Sequence, residues 1–158
     1  MRQIAFQDAY PLDVAHCFGC GHLNPHGHHL RTFWDGEETV TRFTPRPEHT
    51  ALPGYVYGGL LASVIDCHST GSGAGALARA RGLVLGTDPI PRCVTGSLEL
   101  RYLKPTPLGP ELTVRGQIEE IKGRKVVVTS TLYAGDEACV TGRAVVLEIP
   151  EGSFGRER

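Results

Sequence analysis

One stretch of this chain repeats with the period of a helix, and the extended stretches on either side of it are short and separated by turns. From about residue 57 to about residue 80, Leu60, Leu61, Val64, Ile65 and His68 recur at i, i+1, i+4 and i+5, which is one face of a helix. Ala62, Ser63, Asp66, Ser69, Thr70 and Gly73 form a second face, small and partly polar. Arg79 and Arg81 followed by Gly82 mark the end. Two short extended stretches precede the helix, His28 to Trp34 and Glu38 to Phe43, with Asp35-Gly36 as the turn. Four follow it: Val94 to Leu103, Leu112 to Ile121, Val126 to Tyr133 and Ala138 to Ile149. Lys122-Gly123-Arg124-Lys125 and Ala134-Gly135-Asp136-Glu137 are the hairpin turns between the last three. One helix among hairpin-linked strands predicts an α+β fold with an antiparallel sheet, and argues against a doubly wound parallel one. The 158 residues are enough for one domain with its own core, spanning 1–158. An irregular segment over 1–26 and a frayed tail over 151–158 are expected at its ends.

The helix opens unusually. Pro53-Gly54 turns the chain, and Tyr57-Gly58-Gly59 begins the helix. The first turn of a helix leaves backbone N–H groups unpaired, and the helix dipole makes that end partially positive. Two glycines there let a ligand oxygen come close to the bare backbone. Asp66 lies seven residues beyond Gly59, about two turns, so both point the same way but stand about 10 Å apart along the axis. A reacting carbonyl needs its oxyanion donor and its catalytic group each within about 3 Å. One helix therefore cannot present both groups to one substrate. Two copies side by side and antiparallel can, with Gly59 from one chain and Asp66 from the other.

Composition narrows the field. A formal net charge of -1 gives no global attraction for nucleic acid or an anionic membrane, so neither is an expected partner. No apolar run reaches membrane-spanning length, and residues 1–8 lack the apolar core of an export signal. Five cysteines, an odd number, read as reduced thiols and a cytoplasmic setting. There is no G-x-S-x-G elbow of an α/β-hydrolase. Cys67 and His68 diverge by about 100° on the helix and form no dyad. Gly71-Ser72-Gly73-Ala74-Gly75 follows helix rather than strand, so it is no dinucleotide loop. Its small residues imply close packing or an early helix end, since each interior glycine costs about 1 kcal/mol. Cys17-x-x-Cys20 with His22, His26, His28 and His29 invites a zinc reading, but a structural site needs four convergent ligands and no second Cys-x-x-Cys exists. A turn packed on the sheet edge, without metal, is the expectation.

Four pieces of sequence together resemble the hotdog-fold acyl-CoA thioesterases, near the phenylacetyl-CoA and medium- or long-chain acyl-CoA group. They are Cys17-Phe18-Gly19-Cys20-Gly21 with Asn24-Pro25 and Gly27, the turn Pro53-Gly54 leading into Gly58-Gly59, Asp66 at its distance from Gly59, and Thr95 to Pro105. The resemblance runs from about Cys17 to Leu147. It implies a long central helix wrapped by an antiparallel sheet, a homodimer or homotetramer, and hydrolysis of an acyl-CoA-type thioester with no cofactor beyond the coenzyme A of the substrate. It implies Asp66 as the catalytic carboxylate, the Gly59 N–H as oxyanion donor, and Thr95 as an assisting hydroxyl. Tyr57, Gly58 and His49 are the expected substrate contacts. One departure stands out: the family usually carries His before the Gly-Gly pair, where this chain has Tyr57, a poor base near neutral pH. Ala51 stands where relatives often have Asn or Gln; His49, Thr50 and His68 are candidates to compensate. Arg79, Arg81, Arg92, Arg101, Lys104 and Arg143 are mostly surface charges, some of them candidate phosphate contacts. Two rivals remain at this stage, a dehydratase of β-hydroxyacyl thioesters using His49 with Asp66, and a non-catalytic acyl-thioester binder.

Overall fold

The computed structural model describes residues 2–153; the expected frayed tail falls largely outside them. Strands β1 (Thr32–Asp35) and β2 (Glu38–Phe43) come first, then helix α1 (Gly58–Ala80). Strands β3 (Cys93–Tyr102), β4 (Leu112–Lys122), β5 (Lys125–Ala134) and β6 (Glu137–Glu148) follow. All six form one antiparallel sheet in the order β1-β2-β4-β5-β6-β3, curled around α1. The expected α+β architecture, a long helix wrapped by an antiparallel sheet, is the one observed.

The helix faces explain the packing. Leu60, Leu61, Val64, Ile65 and His68 are all buried under the sheet. The small-residue stretch continues the helix rather than ending it. A Cβ on Gly73 would lie 2.4 Å from Val146 Cγ2, and one on Gly75 would lie 2.7 Å from the Phe6 ring. Close approach of sheet and N-terminal segment thus requires those glycines. Gly82, at φ +68°, stops the helix just beyond its cap residue Arg81, and Leu83 N–H bonds back to Ala78 O. Apart from its exposed last residues Arg79 and Ala80, the helix is uncovered along one side of its first turns: Gly58 and Gly59 are exposed, and Ala62, Ser63 and Asp66 are half-buried.

Two boundaries differ from expectation. The irregular N-terminal segment contains 3-10 turns at Phe6–Ala9 and Leu12–Val14, and it buries Ala5, Phe6, Tyr10 and Ala15 in the core. The first strand begins at Thr32 rather than His28. His28 and Leu30 instead give their N–H groups to Phe18 O and Gly19 O, and His29 takes φ +53°, which breaks an extended run.

Under the helix lies a buried polar chain. Gln7 donates to Thr32 Oγ1, which meets Thr41 Oγ1 at 2.8 Å. Thr41 Oγ1 in turn meets His68 Nδ1 at 2.8 Å. Thr39 and Ser72 close the other side of the ring, 3.3 and 3.4 Å from Nε2. Burial drops the His68 pKa to about 3. The folded form therefore binds fewer protons than the unfolded chain below about pH 6.5, and stability falls as pH drops from there toward 3. The slope is about 1.4 kcal/mol per pH unit from this group. Chemical denaturation at pH 7 and pH 5 should show a loss of about 2 kcal/mol that shrinks in His68→Gln; an equal loss in both proteins would contradict this.

Candidate active site

The helix entry is held largely by backbone bonds. Tyr55 N–H reaches Leu52 O across Pro53-Gly54, with Gly54 at φ +87°, the geometry of a type II turn. Val56 N–H bonds Thr106 O, and Tyr57 N–H bonds His49 O. Tyr57 is the helix N-cap residue but its side chain caps nothing. Leu60 N–H turns back to Tyr57 O, whereas the N–H groups of Gly58 and Gly59 donate to no group among the described residues. Two tyrosines flank the pair. Tyr102 Oη donates to Gly58 O at 2.8 Å, and the Tyr57 ring stands where a Cβ on Gly59 would come to 3.0 Å. A hollow of about 350 Å³ opens beside this turn, lined by Val56, Gly58, Leu61, Tyr102, Lys104 and Thr106 among others. The Thr106 hydroxyl is buried there without a partner.

Two turns further on, Thr95 Oγ1 donates to Asp66 Oδ1. This contact depends on a β-bulge. The pairing of β3 with β6 slips between Thr95 and Ser97, with Gly96 as the extra residue. Before the bulge Cys93 and Thr95 face the helix; after it Leu98 and Leu100 do. Plain alternation back from Leu98 would have turned Thr95 away from Asp66. The two half-sites, Tyr57-Gly58-Gly59 and Asp66-Thr95, thus sit on one side of α1 about two turns apart.

The remaining expected residues fall as follows. His49 is buried behind Tyr57, their ring centroids 6.4 Å apart. Its Nδ1 accepts the Arg46 N–H at 2.9 Å, and its Nε2 lies 3.5 Å from the Arg46 guanidinium. Both nitrogens are engaged, which leaves it ill-suited as a dehydratase base. Thr50 is exposed and donates to Leu52 O. His68 belongs to the buried polar chain. Of the six cations, Arg79 pairs with Glu37 and stacks on Trp34, Arg81 with Glu148, Lys104 with Glu137 and Arg143 with Glu119. Arg92 packs over the Tyr10 ring. Arg101 alone has no such partner among the described residues.

No histidine joins Cys17 and Cys20. His22 Nδ1 contacts Gln7 O, His29 contacts Asn24 O, and His28 packs on Phe18 and Phe43. The third group beside the pair is Cys67, from α1, which sequence spacing gave no means of finding. Its two thiol neighbours, Cys20 first and then Cys67, hold the Cys17 thiol well below the ordinary range; in the 4.0 Å contact with Cys67 either sulfur can be the donor. The bond to Cys17 pushes Cys20 up to about 12 and raises Cys67 as well, and burial adds to both.

A helix of this length in an antiparallel wrap is the hotdog fold. The thioesterase superfamily model matches residues 53–141, and the chain belongs to that family. A thioesterase superfamily protein from Shewanella loihica shares 43% identity, with 91% of this chain and 99% of that one covered and a TM-score of 0.69. The acyl-coenzyme A thioesterase THEM4 of Xenopus laevis is 32% identical over 110 residues, 70% of this chain and 44% of that protein. The Rattus norvegicus THEM4 is 34% identical over 98 residues, 62% of this chain and 36% of that protein. The chain thus spans less than half the length of these curated relatives. Zebra fish thioesterase superfamily member 2, at 17% identity and a TM-score of 0.57, shares the fold. No helix among the described residues is long and apolar enough to cross a membrane.

Proposed function

We propose that the protein hydrolyses an acyl-CoA thioester, releasing free acid and free thiol, in composite sites between two antiparallel helices of a dimer. The observation that carries this is the carboxylate of Asp66, pinned by Thr95 on the one side of α1 that the chain's own sheet leaves uncovered. The names of the THEM4 relatives support acyl-CoA as the substrate class. In each site the thioester oxygen meets the Gly59 N–H of one protomer, with Gly58 leaving room for its approach. Asp66 of the other protomer either adds to the carbonyl, expelling the coenzyme A thiolate and leaving an aspartyl–acyl anhydride that water then opens, or takes a proton from a water that adds to the carbonyl and expels the thiolate. Thr95 holds that carboxylate so that its second oxygen faces the substrate. After single turnover in 18O-labelled water, label recovered in Asp66 identifies the first route, with water opening the anhydride at its aspartyl carbonyl. Tyr57 provides a hydroxyl donor where relatives carry histidine, and His49 positions Tyr57 from behind.

Dimerisation is supported by the edge of the sheet. Strand β3 offers ten residues with one side unpaired, and Val94 and Tyr102 are exposed along it. A second β3 there would bring the uncovered helix faces together, and two such dimers would make a tetramer. Five unpaired cysteines support a reducing, cytoplasmic setting.

The test is thiol release from short, long and aromatic acyl-CoAs. Release from at least one class is expected; tight acyl-CoA binding without release from any would favour a binding protein. Thr95→Val removes one hydrogen bond to a charged group, worth about 1.5–3 kcal/mol, so kcat should fall about ten- to a hundredfold with the dimer intact. An unchanged kcat would remove Thr95 from the machinery.

A further inference from the structure

Directly after Asp66 the helix contributes a thiol to a cluster that the hydrolytic reading leaves unused. Cys17 and Cys20 from the N-terminal loop and Cys67 from α1 place their Sγ atoms all within 4.8 Å of one another. Cys17 Sγ and Cys67 Sγ are 4.0 Å apart. Three thiolates around one ion at about 2.3 Å each stand about 4.0 Å from one another in a trigonal plane. The sulfurs therefore lie close to the spacing that a bound ion would impose.

The loop is shaped for this convergence. A Cβ on Gly19 would lie 2.2 Å from Cys67 Sγ, and a Cβ on Gly21 would lie 2.4 Å from Cys17 N. Both glycines are needed for the loop to fold this tightly onto the helix. Gly21 N–H bonds Cys17 O at 2.7 Å, and Leu30 N–H bonds Gly19 O at 2.9 Å, so the loop is tied down on both sides. Cys20 and Cys67 are buried, and Cys17 is half-exposed, which gives an ion a way in. The Tyr10 hydroxyl is buried nearby in the same core without a partner. The other two cysteines, Cys93 and Cys139, are buried too but stand apart from the cluster.

We propose that Cys17, Cys20 and Cys67 together hold a single soft d10 metal ion as three thiolates, tying the N-terminal loop to α1 one residue beyond Asp66. Any protons still on the thiols leave to solvent as the ion binds. Three sulfurs and no nitrogen or carboxylate favour a thiophilic cation such as Cu(I) over a hard one. This departs from the expectation of a metal-free turn, and it stands whether or not the protein proves to be a hydrolase.

The test is anaerobic titration of the reduced full chain with Cd(II) and, separately, with Cu(I). The expected result is one ion per chain by native mass spectrometry, a sulfur-to-cadmium charge-transfer band, and a raised Tm. Cys17→Ser, at the half-exposed position, should weaken binding at least tenfold and shrink the band while its circular dichroism stays that of the parent. Cys139→Ala should bind like the parent. If the cysteine variant proves unfolded, the parent and Cys139→Ala still decide, since a thiolate band that survives blocking of Cys17 alone by alkylation excludes the three-sulfur site. Absence of stoichiometric binding, equal binding in Cys17→Ser and parent, or conversion of the pair to a Cys17–Cys20 disulfide as the only change would each overturn the proposal.

Discussion

Replacing Asp66 by asparagine is expected to lower kcat for acyl-CoA hydrolysis by at least about a thousandfold, roughly 4 kcal/mol of transition-state stabilisation. Asparagine keeps an oxygen that accepts the Thr95 hydroxyl, so the strand–helix contact and the fold remain. What it loses is the negative charge, and with it both the nucleophile and the base. Sedimentation and circular dichroism of Asp66→Asn should match the parent. KM should change little, because the carboxylate acts on the reacting carbon rather than on the bulk of the ligand. A variant that retains kcat would show that this carboxylate is only a structural partner of Thr95.

The second large effect is expected at the helix entry. Gly59→Pro removes the backbone N–H at the second helical residue, where proline is tolerated because that donor has no partner within the helix. Loss of one oxyanion donor costs about 2.7–4 kcal/mol, so kcat should drop about a hundred- to a thousandfold. Proline also brings a Cβ to about 3.0 Å from the Tyr57 ring, so that crowding needs its own control. Gly59→Ala places the same carbon there and keeps the N–H. The ratio of the two kcat values isolates the donor. Equal losses in both would assign the effect to Tyr57 being pushed aside, and the Gly59 amide would lose its role.

How legible all this was depended on distance along the chain. The helix, the hairpins and the sheet follow from local period and turn chemistry, and Glu38–Phe43 appears with the very bounds that the alternation suggests. Gly73 and Gly75 were readable as close-packing residues because a glycine inside a helix costs stability that only contact restores. Thr95 was not readable from alternation, since the bulge at Gly96 shifts the face it occupies. Gly96 inside the strand pattern was the available signal. The N-terminal segment looked irregular because its order comes from partners elsewhere in the chain. Gln7 is held by Thr32, and Phe6 fills the space over Gly75. The thiol cluster joins residues 50 positions apart, and no local pattern carries that information. His49 lay close to the helix entry in sequence, but its ring faces Arg46 rather than open space.

The central claim is that each working site takes its amide from one protomer and its carboxylate from the other. Mixing Asp66→Asn with Gly59→Pro, unfolding and refolding them together, tests it most directly. Each variant alone is nearly inactive. Random reassembly makes about half the dimers hybrid, and each hybrid has one site in which both groups are intact. The account predicts recovery to about one quarter of the parent activity in thiol release, rising and falling with the mixing ratio as hybrids do. A mixture no more active than the two variants assayed separately, with hybrid dimers verified by mass spectrometry, would contradict it.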